Sequence, residues 1–182
     1  VKNQNPYGTC WAHAALASME SALLKSEGRT YDFSENNFVN MCGFTFARMN
    51  SKGQPYPWDG VNEGGNFFKA EAYLLRWSGP VSEADDPYCS PGNSVAHDAQ
   101  RHLLGCQWIT EKESDLDHEQ IKMAVHAHGA LATDYYHDDA YLSKDGRSYY
   151  CPEPSYVENA KVTNNHAVAI VGWNDAYDKE KF

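Results

Sequence analysis

A cysteine opens what reads as the first helix of the chain, and this constrains the molecule more than any other feature. Thr9-Cys10-Trp11 leads into a run of small and apolar residues with Leu16, Met19, Leu23 and Leu24, and Gly28 supplies a stop. The pattern predicts a helix from Cys10 to about Leu24 with a thiol in its first turn. Unpaired backbone N–H groups and the macrodipole favour negative charge at such an end, so a thiolate is favoured there. A histidine, His166, stands 156 positions further on. It heads a β-type run, Ala167 to Trp173. A thiol at a helix start and a distant imidazole are the parts of a cysteine nucleophile and its base, provided folding brings them together.

The bulk properties narrow the alternatives. A chain of 182 residues can bury a sizeable core, as one domain or as two small lobes. A formal charge of −10 argues against nucleic acid and anionic membranes as partners. No apolar run reaches the roughly 18 residues of a membrane span, and no signal peptide is apparent. Five cysteines leave four once Cys10 is set aside. Four suffice for two disulfides and fit an oxidising, extracellular setting. Neither metal-ligand spacing nor a cofactor motif is found, and the His126/His128 pair would point to different faces of a helix.

Along the chain, Ser34 is a plausible N-cap for a short helix. A Gly- and Pro-rich loop follows from about 43 to 65. Asn66 precedes a helix from Phe67 to about Trp77, and another runs from Asp117 to about His128. Strands are expected at Ala130–Tyr135, Tyr149–Tyr150 and Ala167–Trp173. The reading is a helical lobe over 1–104 carrying Cys10 and a β-rich lobe over 105–182 carrying His166, facing each other across a cleft.

Four segments in this order resemble the papain-like cysteine peptidases: Gln4 followed by Gly8-Thr9-Cys10-Trp11-Ala12, then Ser34-Glu35, then Gly64-Gly65, then Asn165-His166-Ala167-Val168. The spacing of Cys10 and His166 is close to that family's. The resemblance implies an α+β fold of two lobes, the left helical and the right β-barrel-like, with no cofactor and no metal. It implies a peptide or protein substrate hydrolysed through a thioester: Cys10 the nucleophile, His166 the general acid and base, Gln4 in the oxyanion hole. Gly64 and Gly65 would pair with an extended substrate backbone. Asn66, Phe67, Thr133 and Asn164 would form the pocket for the residue two positions before the cleaved bond. Trp11 is expected in the core behind the nucleophile, and Trp173 in the core or at the interface of the lobes. Asn165 is a poor orienting residue, because its side chain should point away from that of His166.

The departures from the family pattern matter too. Tyr7 and Glu63 stand where the family commonly has a disulfide, and His13 replaces an aromatic. The family's orienting Asn is not found, so the chain reads as trimmed at both ends, with a propeptide or flanking domains outside it. The tail from 174 to 182 resembles secreted bacterial members, which implies a secreted or cell-surface location. Four remaining cysteines permit three pairings, of which Cys42–Cys89 with Cys106–Cys151 is preferred. The competing readings are a peptide-binding module that has lost turnover and a thiol amidase or transpeptidase acting on cell-wall peptides.

Overall fold

The computed structural model describes residues 2–44, 64–88, 94–109, 117–151 and 164–177. Helix α1 runs Cys10–Glu27, ending at Gly28 in the left-handed conformation (φ 67°), whose N–H returns to the Leu24 carbonyl. Ala12, Leu16, Met19 and Leu23 recur at helical spacing and form its core face. Leu24 falls off that stripe and is 50% exposed. Helix α2 spans Glu35–Met41, with Ser34 Oγ accepting from the Asn37 N–H at 2.9 Å. Helix α3 spans Phe67–Leu75, capped by Asn66 Oδ1 on the Lys69 N–H at 3.0 Å. Helix α4 spans Asp117–His128.

The core lies where α1, α2 and α3 meet. Trp11, Leu16, Phe33, Phe38, Val39, Tyr73 and Leu74 fill it. Tyr73 is fully buried and spends its hydroxyl on Asn37 Oδ1 at 3.0 Å, as a buried phenol must. The buried amides of Asn36 and Asn37 both reach the carboxylate of Asp86, at 2.7 and 2.9 Å, and tie the turn before Tyr88 to α2.

Among the described residues the sheet has two strands, β1 (Leu131–Tyr135) and β2 (His166–Ile170). They pair antiparallel, with Tyr135 opposite His166 and Leu131 opposite Ile170. Tyr149, expected in a strand, forms an isolated bridge with Leu142. Trp173, expected in the core or at the interface of the lobes, lies beyond the end of β2 and is 49% exposed.

Alpha1 is the spine of both halves. Ser18 Oγ donates to the Ala130 carbonyl at 2.8 Å, and the Ala130 N–H donates to Ser21 Oγ at 2.9 Å. From this clamp β1 covers about 16 Å at its usual rise. The eight residues from Ser18 back to Cys10 cover about 12 Å of helix. The two lengths nearly match, so the His166 end of the sheet arrives beside the start of α1.

The expected disulfides are not formed among the described residues. Cys42, Cys106 and Cys151 are free thiols. Cys42 is buried with its Sγ 3.3 Å from the Val39 carbonyl, and Cys106 faces the carboxylate of Glu71. The pairing Cys106–Cys151 is therefore corrected. Cys89 and Glu63 lie outside the described residues.

Candidate active site

Cys10, His166, Gln4, Gly64, Gly65, Asn66, Phe67 and Asn164 line one cleft of about 260 Å³. They come from three stretches of the chain, 4–10, 64–67 and 164–166. Cys10 is the first residue of α1 and half-buried. Thr9, the residue before it, does not cap the helix with its side chain. Its Oγ1 instead meets the Tyr88 hydroxyl at 2.6 Å, and that hydroxyl donates to the Gln4 carbonyl at 2.6 Å. Tyr88 thus links both ends of the turn carrying Gln4 and Cys10. Its ring also takes edge contacts from Tyr7 and His13, at 6.3 and 4.9 Å between centroids. The sequence reading did not single out Tyr88, because its partners lie about 80 positions away.

Gln4 Nε2 donates to the Tyr7 carbonyl at 3.1 Å. A primary amide has two N–H groups, so a second donor remains for the cleft. On the facing wall, Gly65 must be glycine, since a Cβ there would lie 2.2 Å from Cε2 of Trp11. Trp11 itself is 2% exposed and packs on Phe38 at 5.3 Å, directly behind the sulfur.

His166 is fixed by ring contacts. Tyr135 lies 5.7 Å away edge-on, and His137 lies 5.5 Å away. Among the described residues no hydrogen bond reaches its ring nitrogens. Burial, and secondly the charge of His137, hold its pKa below the ordinary histidine value. Asn165 is occupied elsewhere: its Oδ1 accepts from the His137 N–H at 2.7 Å and its Nδ2 donates to the His137 carbonyl at 2.9 Å.

The pocket residues need one correction. Thr133 does not line the cleft; its neighbour Asp134 does. Side chains alternate along a strand, so a shift of one position exchanges the faces. Asp134 sits opposite Ala167 in the sheet and accepts from Asn164 Nδ2 at 2.8 Å. Among the described residues no group of three or more His, Cys, Asp or Glu could hold a metal ion, and no helix is long and apolar enough to cross a membrane.

Comparison with known proteins agrees with this geometry. The family profile described as "Papain family cysteine protease" matches residues 1–182. The chain belongs to the papain family of cysteine proteases. Cathepsin S of Bos taurus is 27% identical over 182 residues, which are 99% of this chain and 49% of that protein. The cysteine protease Amb a 11.0101 of Ambrosia artemisiifolia is 28% identical, over 100% of this chain and 42% of its own length. The chain therefore spans about half, or less, of these papain-family relatives. Among solved structures, the cysteine protease and lectin-like domains of Cwp84, a surface layer associated protein of Clostridium difficile, superpose with a TM-score of 0.68. They share 26% identity over 100% of this chain and 38% of that one. Digestive procathepsin L2 of Tenebrio molitor, at 24% identity and a TM-score of 0.71, covers 96% of this chain and 50% of that one, and shares the fold. The α+β papain-like architecture is thus the fold of this chain.

Proposed function

We propose that this protein is a cysteine endopeptidase in which Cys10 attacks the substrate carbonyl, His166 moves the protons and Gln4 steadies the oxyanion. The observation that carries the reading is the convergence of the turn bearing Gln4 and Cys10 with the distant strand bearing His166 on the cleft walled by Gly64 and Gly65. The Cys10 sulfur, as thiolate, bonds to the carbonyl carbon. The Gln4 amide and the Cys10 backbone N–H donate to the oxygen as it becomes negative, a role supported by the presence of both residues in the cleft lining. His166, as imidazolium, gives its proton to the departing amine nitrogen when the C–N bond breaks, leaving a thioester. The neutral imidazole then takes a proton from water, whose oxygen displaces the sulfur and releases the acid.

The helical lobe, 1–104, supplies the nucleophile and the β-rich lobe, 105–182, the base. The substrate is a peptide or protein. A propeptide or flanking domains accompany the catalytic part, a reading supported by cathepsin S and Amb a 11.0101, of whose lengths this chain covers 49% and 42%. Similarity to a surface-layer-associated protease supports a secreted or cell-surface location.

The test is irreversible labelling with a peptidyl vinyl sulfone, the adduct being located by mass spectrometry. Labelling at Cys10, lost in His166→Ala, together with Cys10-dependent hydrolysis of peptide amides, is the expected result. A folded protein that neither labels at Cys10 nor cleaves any peptide would be a binding module instead.

A further inference from the structure

Building on the peptidase reading, we propose that Asp134 makes this cleft select a cationic side chain, lysine or arginine, two residues before the cleaved bond. Among the described residues lining the cleft, Asp134 is the sole carboxylate, and none is a lysine or arginine. The Asp134 side chain is exposed to the cleft. Its Oδ1 accepts from Asn164 Nδ2 at 2.8 Å, whereas Oδ2 has no partner and the carboxylate no ion pair among the described residues. One oxygen is therefore anchored and the other is free to receive a donor.

The position fits that subsite. A scissile carbonyl over Cys10 places the residue before it about 3.4 Å further along an extended substrate. Gly64, Gly65, Asp134 and Ala167, the neighbour of His166, all line the cleft that strand would occupy, and Asp134 is paired with Ala167 in the sheet. Phe67 and Ala167 offer apolar surface to the methylene stem of a long side chain, while the head reaches the free oxygen. A guanidinium or ammonium would make a charge-assisted hydrogen bond there, and the net charge of −10 draws cationic peptides to the surface. A carboxylate at the same substrate position would meet Asp134 directly and be rejected.

The experiment compares three peptide amides that differ only at this position, carrying Arg, Leu or Glu. For the unaltered protein kcat/KM should be about tenfold higher for Arg than for Leu, lowest for Glu, with the Arg advantage shrinking as salt is added. Asp134→Asn keeps an acceptor for the Asn164 amide and should bring the Arg-to-Leu ratio near one. Asp134→Lys should reverse the order of Arg and Glu. A Leu peptide cleaved as well as the Arg peptide, or an Arg preference that survives Asp134→Asn, overturns this inference and leaves the peptidase reading standing. Failure of the protein to cleave any of the three, with no labelling of Cys10, overturns both.

Discussion

The imidazole of His137 lies 5.5 Å from that of His166, with the ring planes tilted by 57°. His137 is itself held on all sides. Its Nδ1 meets the Tyr135 hydroxyl at 2.8 Å, its Nε2 meets Asp139 Oδ1 at 3.2 Å, and its ring stacks on Tyr149 at 5.2 Å. Asn165 clamps its backbone from both directions. A second imidazole is thereby fixed beside the proposed base, with Asp139 on its far side.

Two protonated imidazoles at this distance repel, and burial opposes charge on His166 as well, so His166 gives up its proton more easily than an ordinary histidine. In a Cys10→Ala protein, where no thiolate competes, His166 should titrate below 6.5. His137→Gln removes the repulsion and should move that midpoint upward. It should not restore the full value, because burial is the larger cause and remains. Imidazole chemical shifts followed against pH by NMR read both midpoints. An identical His166 titration with and without His137 would show that the two rings do not share charge.

Lys2 concerns stability. Its ammonium meets Glu20 at 3.1 Å, Asp32 at 2.8 Å and Glu35 at 2.9 Å, and donates to the Phe33 carbonyl at 2.7 Å. The cluster ties the amino-terminal segment to α1 and α2. Glu35 is 2% exposed, and its pKa is pushed up to about 7 because burial outweighs the pull of Lys2. A carboxyl whose folded pKa lies above its unfolded value favours the fold most below about 4.5, and that contribution fades as pH rises through 7. Replacing Lys2 by Met removes the cation facing a buried carboxylate. The loss should be about 2 kcal/mol at pH 8, below the full range for a buried pair because Lys2 is partly exposed. At pH 5, where Glu35 carries its proton, the loss should be smaller. Urea unfolding at the two pH values measures this; equal losses would mean that Lys2 acts through its other contacts, Glu20, Asp32 and the Phe33 carbonyl, and not through the charge of Glu35.

What the sequence revealed and what it hid divides along physical lines. Gly28, Ser34 and Asn66 act within one turn of their own position, so the ends they set for α1, α2 and α3 could be read locally. Cys10, Gln4, Gly64, Gly65 and His166 were found from motif order, and the structure brings them to one cleft. Thr133 was chosen where Asp134 lines the wall, because strand register depends on the partner strand and not on the strand's own residues. The cysteine pairing failed for the same reason: Cys106 turns to Glu71, a contact 35 positions away that no local pattern encodes. Tyr88 reaches the cleft through Gln4 and Thr9, and His137 through His166, all distant in sequence. Neither carries a local signature.

Gln4 offers a direct probe of the proposed oxyanion site. Its backbone carbonyl holds the Tyr88 hydroxyl whatever the side chain, so Gln4→Ala takes from the turn only the bond from Nε2 to the Tyr7 carbonyl. Removing the side-chain donor should cost about 10²–10³ in kcat with KM little altered. Steady-state kinetics on a peptide amide decides it. A variant retaining most of its kcat would assign Gln4 to the turn and not to the reaction.

The two glycines of the cleft wall should respond differently to a single methyl group. At Gly64 φ is 68°, and an added Cβ meets nothing within 4 Å, so Gly64→Ala strains the backbone without touching a neighbour. At Gly65 the backbone conformation suits any residue, but the Cβ would press on Trp11 at 2.2 to 2.4 Å. Trp11 cannot easily yield, being 2% exposed and packed on Phe38. Since Trp11 follows Cys10 directly, displacing its ring should also displace the sulfur. Gly65→Ala should therefore lose about 1–3 kcal/mol by overpacking, shift the Trp11 fluorescence, and slow Cys10 labelling by a vinyl sulfone. Gly64→Ala should cost about 1–2 kcal/mol through its left-handed backbone, with the Trp11 signal unmoved. Similar Trp11 spectra in the two variants would mean that the indole is not what demands glycine at 65.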